Sequence, residues 1–476
     1  MSQIKTIFKN MSWLLVSQIV ASICGFIWTI LIARYLGVNE YGVLGFALSF
    51  TGLMAIAVDF GISTHIVREI ATDNSIAAKY IGNALPLKSI FSIGTLILAS
   101  IILILLKTDE LAITVTLLFI IEMIIKSVIG LLNGTFQAFE DGKYQGIGNT
   151  LLNIILLIFI LISIYTDIGL IGITISYILA NLIALIYEYY VLEKHFVKPK
   201  YEFDKAFCKK ITLLSLPFAA VTILYNVYYS IDVVMLSKMI GDHATGIYNA
   251  TYKLISVLTL FYSVYTAVIF PVMSKFFKND EEMLTISFEK SIKYLMLVMI
   301  PLALATMFYS TDVIHFIYGH EYDEAASVLC ILIWTVCLLF INGACNTLLN
   351  ASHHEVSVTK IYAIAAVFNV VLNFIMIPYF TYNGAAITTV LSDLLILILQ
   401  SYVLYKIKHK INKKLYWDLL KIIIATGILG IILYILDLNM WIAIPVSIVI
   451  YLTTVTLLKL FDDSDKYIIK EIIGKK

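Results

Sequence analysis

The sequence predicts an all-α, polytopic membrane protein with about fourteen transmembrane helices, and three observations predict it. First, 61% of the 476 residues are hydrophobic and only 14% are charged, whereas soluble domains are roughly half apolar and a quarter charged. Second, apolar runs long enough to cross a bilayer recur along the chain with short polar breaks between them. Third, lysine and arginine collect in alternate loops, which is typical of proteins that thread a membrane repeatedly.

Each apolar run between polar breaks predicts one span. The predicted spans lie near residues 10–33, 43–67, 80–106, 111–132, 146–165, 168–190, 211–236, 246–271, 291–309, 325–349, 356–378, 384–405, 419–436 and 440–459. The runs at 146–190 and 356–405 are each predicted to form a helical hairpin, because only the segments YTDIG and PYFTYNG interrupt them. The apolar run that begins at Met11 is too long for the core of a cleaved signal peptide, so we expect the first span to be retained.

The distribution of positive charge orients these spans. With the N-terminus in the cytoplasm, about 28 of the 33 Lys and Arg residues lie on the inner side, as the positive-inside rule requires. Lys126 and Lys253 lie within spans, and the loop 312–324, assigned to the outer side, is acidic. The sequence therefore predicts a multi-pass protein of the cell (plasma or inner) membrane with both termini cytoplasmic.

Several classes of protein are excluded or disfavoured by what the chain contains. A net charge of +1 does not favour nucleic-acid binding, and the five cysteines lack the spacing of a metal or disulfide site. There is no GxxxxGK[ST] loop for an ATPase. The first outer loop, GVNEYG, holds one carboxylate, which disfavours a metal-dependent membrane glycosyltransferase. The adjacent pair His353–His354 is interpreted as a loop feature rather than a metal site. From these observations together we expect no enzyme activity, no cofactor and no metal site.

The chain also repeats itself at a spacing of about 204 residues. LIARYLGVNEYGVLGF at 31–46 aligns without a gap with MLSKMIGDHATGIYNA at 235–250, which pairs Gly37 with Gly241 and Gly42 with Gly246. The sequence predicts two homologous lobes of the same topology. The predicted divisions are 1–200 (helices 1–6), 201–405 (helices 7–12) and 406–476 (helices 13–14 and a cytoplasmic tail). Such an architecture suits alternating access.

These segments carry a family resemblance. Residues 31–50, DFGISTHIVREIA at 59–71, the segment 230–254 and IFPVMSK at 269–275 resemble polysaccharide flippases of the Wzx type. That family is similar to MATE-type multidrug exporters and to lipid II flippases. The resemblance implies a two-lobed, MATE-like transporter that moves a polyprenyl-diphosphate-linked oligosaccharide from the cytoplasmic to the outer face. It implies as partners the lipid-linked glycan, membrane lipids, H⁺ or Na⁺, and glycan polymerisation or transfer machinery.

Ionisable groups within a span are costly and therefore point to function. The residues predicted to bind substrate in a cleft are Arg34, Arg68, Lys126, Lys253, Asn346 and Tyr229. The two arginines are the only ones in the chain, and the guanidinium group suits a diphosphate. Alternatively, Arg68 is a positive-inside anchor and Arg34 complements a helix dipole. Asn346 belongs to a polar ladder that either lines a sugar cleft or joins helices, while Tyr229 either stacks on a sugar or lies in an interfacial belt.

Four carboxylates are predicted to have coupling or structural roles: Asp59, Glu122, Asp232 and Asp393. Asp59 and Asp393 are candidates for carrying a coupling proton. Asp232 either carries a coupling cation or pairs with Lys253. Glu122 precedes Lys126 by four residues, the order that favours an ion pair on one helix face.

Two other functions compete with the flippase interpretation. A cation-coupled multidrug exporter of the MATE type is the nearer alternative, and it would require an essential coupling carboxylate. An integral membrane transferase is the alternative from another class.

Overall fold

In the computed structural model, the structure describes residues 3–407, 409, 411–462 and 465, with the side chains of 3–9, 11, 220, 221, 225, 260 and 263 outside the description. The described residues form helices and connecting segments, with no strand among them. The helices are α1 Gln3–Asp59, α2 Ile62–Thr72, α3 Ala77–Leu105, α4 Glu110–Ala138, α5 Gly142–Tyr165, α6 Gly169–Val191, α7 Lys205–Met239, α8 Asp242–Asn279, α9 Glu281–Phe308, α10 Ser310–Tyr318, α11 Ala325–Ala351, α12 Glu355–Lys406, α13 Lys413–Leu436 and α14 Met440–Leu457. The all-α prediction is confirmed.

The number of spans depends on how two long helices are counted. Ten helices of the described chain are long and apolar enough to cross a bilayer, and two bent pairs bring the number to as many as twelve. Two of the ten are 48 and 52 residues long, about twice what one crossing needs. Each contains a non-helical residue, Gly37 in α1 and Thr381 in α12. Counting each as two spans gives the predicted fourteen, and that number remains a prediction.

The breaks occur where the sequence supplies residues that interrupt a helix. Gly37 has φ of 68°, a left-handed conformation that costs glycine little. Pro378 removes a helical hydrogen bond just before Thr381 in the segment PYFTYNG. The break in YTDIG is likewise confirmed, since Asp167 and Gly169 both have positive φ.

The predicted end of the second span was wrong. The span predicted at 43–67 ends at Asp59, because Phe60 and Gly61 adopt positive φ and the chain restarts as the short helix α2. Apolar residues continue through this turn, so hydropathy alone does not reveal it.

The chain divides into two compact units, residues 1–250 with 373–382, and residues 251–372 with 383–476. The predicted lobe boundaries at 200 and 405 stay a prediction. Within the first unit, a core of buried side chains includes Ile66, Ile81, Leu132 and Phe136. Since lipid is as apolar as leucine, close packing rather than apolar burial holds such helices together.

The internal repeat is visible in how the first unit packs. A methyl group added at Gly42 would overlap the backbone carbonyl of Asp242, and one added at Gly246 would overlap the carbonyl of Val38. Under the 204-residue spacing, Val38 is equivalent to Asp242 and Gly42 to Gly246. Equivalent residues thus exchange equivalent contacts, which is the signature of a local two-fold axis. Gly37 and Gly241, also equivalent, both have positive φ.

Candidate functional site

A cavity with charged groups in its wall, of about 430 Å³, lies in the first unit. Its lining combines charged, polar and apolar residues from α1, α2 and α4: Leu48, Thr51, Gly52, Ala55, Asp59, Ser63, Glu122, Met123, Lys126, Ser127 and Gly130. The structure therefore brings Asp59 to the same cavity as the predicted pair Glu122 and Lys126. The cavity has the volume typical of a small-molecule site.

Asp59 is held by a lysine that the sequence analysis did not select. The ammonium group of Lys88, on α3, forms an ion pair with Asp59 and donates hydrogen bonds to the hydroxyl (2.6 Å) and backbone carbonyl (3.0 Å) of Ser127. Ser63 donates a further hydrogen bond to Asp59. Lys88 is 1% exposed, so its three N–H donors are satisfied within the protein, as a buried ammonium requires. Asp59 faces the cavity at one end of this network.

Glu122 and Lys126 form the second charged pair of the cavity. Lys126 Nζ lies 3.4 Å from Glu122 Oε1, which confirms the predicted pair on α4. The amide of Asn181, on α6, donates to the same oxygen at 2.9 Å. The Glu122 side chain is 5% exposed, whereas that of Lys126 is 60% exposed. The buried carboxylate thus anchors one side of an ammonium group that remains accessible to a ligand.

The two arginines lie outside this cavity. Arg68 is exposed on α2, a helix that buries Ile62, His65, Ile66 and Ile70 on its other face. Arg34 is exposed in α1, one turn before the break at Gly37. Lys238, the repeat equivalent of Arg34, donates to the hydroxyl of Thr108 at 2.9 Å and lies 4.4 Å from the centre of the Phe46 ring.

Asp232 lies in a separate buried site of the first unit. Its side chain accepts a hydrogen bond from the hydroxyl of Tyr248 at 3.0 Å and one from the amide of Asn373 at 2.6 Å. Asp232 is 4% exposed. These hydrogen bonds from α8 and α12 fix the orientation of the carboxylate. Tyr229, three residues before Asp232 in α7, packs edge-on against Tyr228.

The remaining predicted residues lie in the second unit. The Asn342 amide donates to the backbone carbonyl of Asp393 at 2.9 Å, and the Asn350 amide donates to the Asn346 side chain at 3.2 Å. The polar ladder on α11 therefore serves helix–helix and intrahelical hydrogen bonds. Asn346 and Lys253 are half-buried.

Five buried charged residues escaped the sequence analysis: Lys88, Glu188, Lys293, Asp418 and Asp465. Lys88 and Lys293 were counted with the inner loops, yet each is 1% exposed within a helix. Lys293 contacts Asp465 at 2.6 Å and Asp418 at 3.1 Å. Glu188 is fully buried in α6 beside Gly148. Lys88 and Lys293 each lie inside a predicted span, 80–106 and 291–309, but both were counted as cytoplasmic charges and so were not considered as groups within the membrane.

An all-helical chain with many apolar spans and charged pairs buried among them is a multi-pass membrane protein of the transporter type. The chain belongs to the polysaccharide biosynthesis protein family, whose model matches residues 7–277. A MatE family model also matches residues 217–375.

The similar proteins agree with this assignment. The chain is 25% identical, over 84% of its length and 99% of the relative's, to the capsular polysaccharide biosynthesis protein CapF of Staphylococcus aureus. It is 23% identical, over 90% of each chain, to a probable low-salt glycan biosynthesis flippase of Haloferax volcanii. The lipid II flippase MurJ in an inward closed conformation shares the fold, with a TM-score of 0.79 and 16% identity over 93% of this chain and 98% of that one.

Proposed function

We propose that this protein is a flippase that moves a polyprenyl-diphosphate-linked oligosaccharide from the cytoplasmic to the outer face of the cell membrane by alternating access. The observation that carries the proposal is the cavity in which Lys126 is exposed while buried Glu122 holds it in place. Charged groups among apolar spans are costly and therefore indicate a function. In a polysaccharide biosynthesis family, that function would be to let a polar group pass through the spans. No chemical step is required of the protein.

The cavity offers the groups that a diphosphate-linked sugar would need. Lys126 supplies a cation for a phosphate oxygen, and the hydroxyl of Thr51 can donate to phosphate or sugar. The Ser63 oxygen, whose proton goes to Asp59, can accept a hydrogen bond from a sugar hydroxyl. The charges of the pairs Asp59–Lys88 and Glu122–Lys126 sum to zero when all four groups are ionised. The cavity would therefore not bind an anion so strongly that its release was slow. The polyprenyl chain would stay in the bilayer, and the roles of Arg34, Arg68, Lys253, Asn346 and Tyr229 as further ligands belong to this proposal.

Release of the anion needs no separate energy source in an inside-negative cell. Moving one unit charge through 100 mV is worth about 2.3 kcal/mol, and the potential helps to expel an anion. Asp59, Asp232 and Asp393 are the carboxylates through which H⁺ or Na⁺ would be coupled. Asp232 is the most deeply buried of the three, at 4% exposed, and hydrogen bonds from Tyr248 and Asn373 fix its position.

The protein would lie in the cell membrane and act together with other glycan-processing proteins. With both termini cytoplasmic, the glycan would be loaded where it is assembled and delivered to polymerisation or transfer machinery outside. Helices 13 and 14 would complete the lipid-facing surface.

A reconstituted flipping assay tests this function. The purified protein is placed in liposomes that contain a fluorescent polyprenyl-diphosphate oligosaccharide, and the fraction reached by an added glycosidase reports movement between leaflets. We expect protein-dependent movement that falls at least about tenfold in Lys126→Ala and is kept in Lys209→Ala, which removes an exposed lysine of α7. Equal movement in protein-free liposomes, or in Lys126→Ala, would contradict the proposed role of the cavity.

Export of cationic drugs is the second candidate, and the MatE match over 217–375 favours it. Such an exporter would accept substrates without a lipid tail and would depend on a coupling carboxylate. If wild-type protein conferred drug resistance that Asp232→Asn abolished, while depletion of the protein left glycan flipping unchanged, the exporter would replace the flippase.

A further inference from the structure

The segment between α10 and α11 brings together two histidines and an aspartate. His315 is in the last turn of α10, His320 opens a short 3₁₀ turn, and Asp323 follows that turn. One ligand atom from each of the three side chains lies within 4.8 Å of the others. The three residues belong to the same compact unit and are far in sequence from the cavity of the first unit.

Each imidazole approaches a different oxygen of Asp323, at a separation close to that between two ligands of a tetrahedral metal ion. His320 Nδ1 lies 3.3 Å from Asp323 Oδ2, and His315 Nδ1 lies 3.7 Å from Asp323 Oδ1. Ligand atoms about 2.0–2.2 Å from a tetrahedral zinc ion are roughly 3.3–3.6 Å apart. Small side-chain rotations would therefore suffice to close the three groups around one ion.

The backbone that carries these ligands is fixed without a metal. Gly319, with φ of 94°, ends α10, and its N–H donates to the His315 carbonyl at 3.0 Å. The N–H of Asp323 donates to the His320 carbonyl at 3.1 Å. Tyr318 and Tyr322 are buried and pack with their ring centres 5.2 Å apart. A site on such a scaffold is preorganised, because little backbone entropy is lost when an ion binds.

The surroundings favour a cation. The segment 310–324 contains four carboxylates and no lysine or arginine. The side chains of His315, His320 and Asp323 are 41%, 78% and 46% exposed, so an ion can enter. An exposed His–Asp contact contributes little to the stability of the fold. Stability therefore does not explain why three ligand groups converge here.

We propose that His315, His320 and Asp323 bind one divalent transition-metal ion on the side of the protein predicted to face outward. Two imidazoles and a carboxylate suit zinc, with nickel and copper as competitors. The fourth position would hold water or a group from outside. A bound ion would tie the end of α10 to the start of α11. The adjacent pair His353–His354 does not belong to this cluster.

Zinc binding to the full-length protein tests this proposal. Protein purified in detergent, freed of its affinity tag and stripped with chelator, is titrated with zinc in a calorimeter, and cobalt is added separately for its visible absorption spectrum. We expect one zinc per chain and a cobalt spectrum of tetrahedral intensity. Both should be lost in His315→Gln/His320→Gln, and zinc should bind at least about tenfold more weakly in Asp323→Ala, since even outer-shell changes cost that much.

The matched control is His353→Gln/His354→Gln, which removes the same number of imidazoles elsewhere. Stoichiometric binding that survives in the His315/His320 variant, or that disappears in the control, would overturn the assignment. So would wild-type protein that binds no zinc at one per chain. Far-ultraviolet circular dichroism of each variant separates loss of the site from loss of the fold.

Discussion

Replacing Asp59 by asparagine removes one partner of a buried ion pair and leaves the other charge in place. Lys88 is 1% exposed in α3, so its ammonium group would lose its counter-ion where water does not reach it. Removal of one partner from a buried pair costs about 3–5 kcal/mol. Lys88 would keep its hydrogen bonds to the hydroxyl and carbonyl of Ser127. We therefore expect the lower end of that range, about 3 kcal/mol.

The assay is equilibrium unfolding of the detergent-solubilised protein by sodium dodecyl sulfate, followed by tryptophan fluorescence. Asp59→Asn should lower the free energy of unfolding by about 3 kcal/mol. The double variant Asp59→Asn/Lys88→Met should recover more than half of that loss, because it removes the stranded charge as well. If the single variant matched wild type, or if the losses in the double variant simply added, the two residues would not act as a pair.

Three further outcomes follow from the structure. Gly246→Leu should prevent stable folding, because any Cβ at this position overlaps backbone atoms. The control Gly94→Leu should fold, because there is open space around Gly94. Equal yields of folded protein by gel filtration for the two variants would contradict the reciprocal packing. Asp465→Asn should speed hydrogen exchange in α9, because Asp465 binds Lys290 and Lys293; unchanged exchange would mean that the contact is dispensable. Burial alone would raise the pKa of Asp465, but hydrogen bonds from Lys290, Lys293 and Tyr294 hold it below its usual value. This contribution should be complete above about pH 4 and lost as pH falls through the lowered pKa. Protection factors in α9, which compare each exchange rate with the intrinsic rate at the same pH, should therefore fall more on acidification in wild type than in Asp465→Asn; an equal fall in both would refute it.

The fold could be predicted from the sequence because the signals are local. A bilayer crossing needs about 20 apolar residues in one run, and breaks such as Gly37 and the segment PYFTYNG are visible as glycine and proline. The internal repeat could also be predicted. Gly42 and Gly246 are both glycine because a Cβ at either position would overlap a backbone carbonyl of the other segment.

The site was predicted only in part, because its pairs are tertiary. Glu122 and Lys126 were found, since four residues on a helix bring two side chains together. Asp59 was selected, but its partner Lys88 is 29 residues away on another helix. Likewise Asn373 meets Asp232 across 141 residues. No periodicity within one span reveals such contacts.

The central claim, that the protein flips lipid-linked oligosaccharides, is tested most directly by depleting it in its own cell and measuring which face of the membrane the glycan occupies. We expect complete lipid-linked oligosaccharide to accumulate on the cytoplasmic face, and wild-type protein but not Lys126→Ala to restore its export. A glycan pool of unchanged size and sidedness after depletion would contradict the claim.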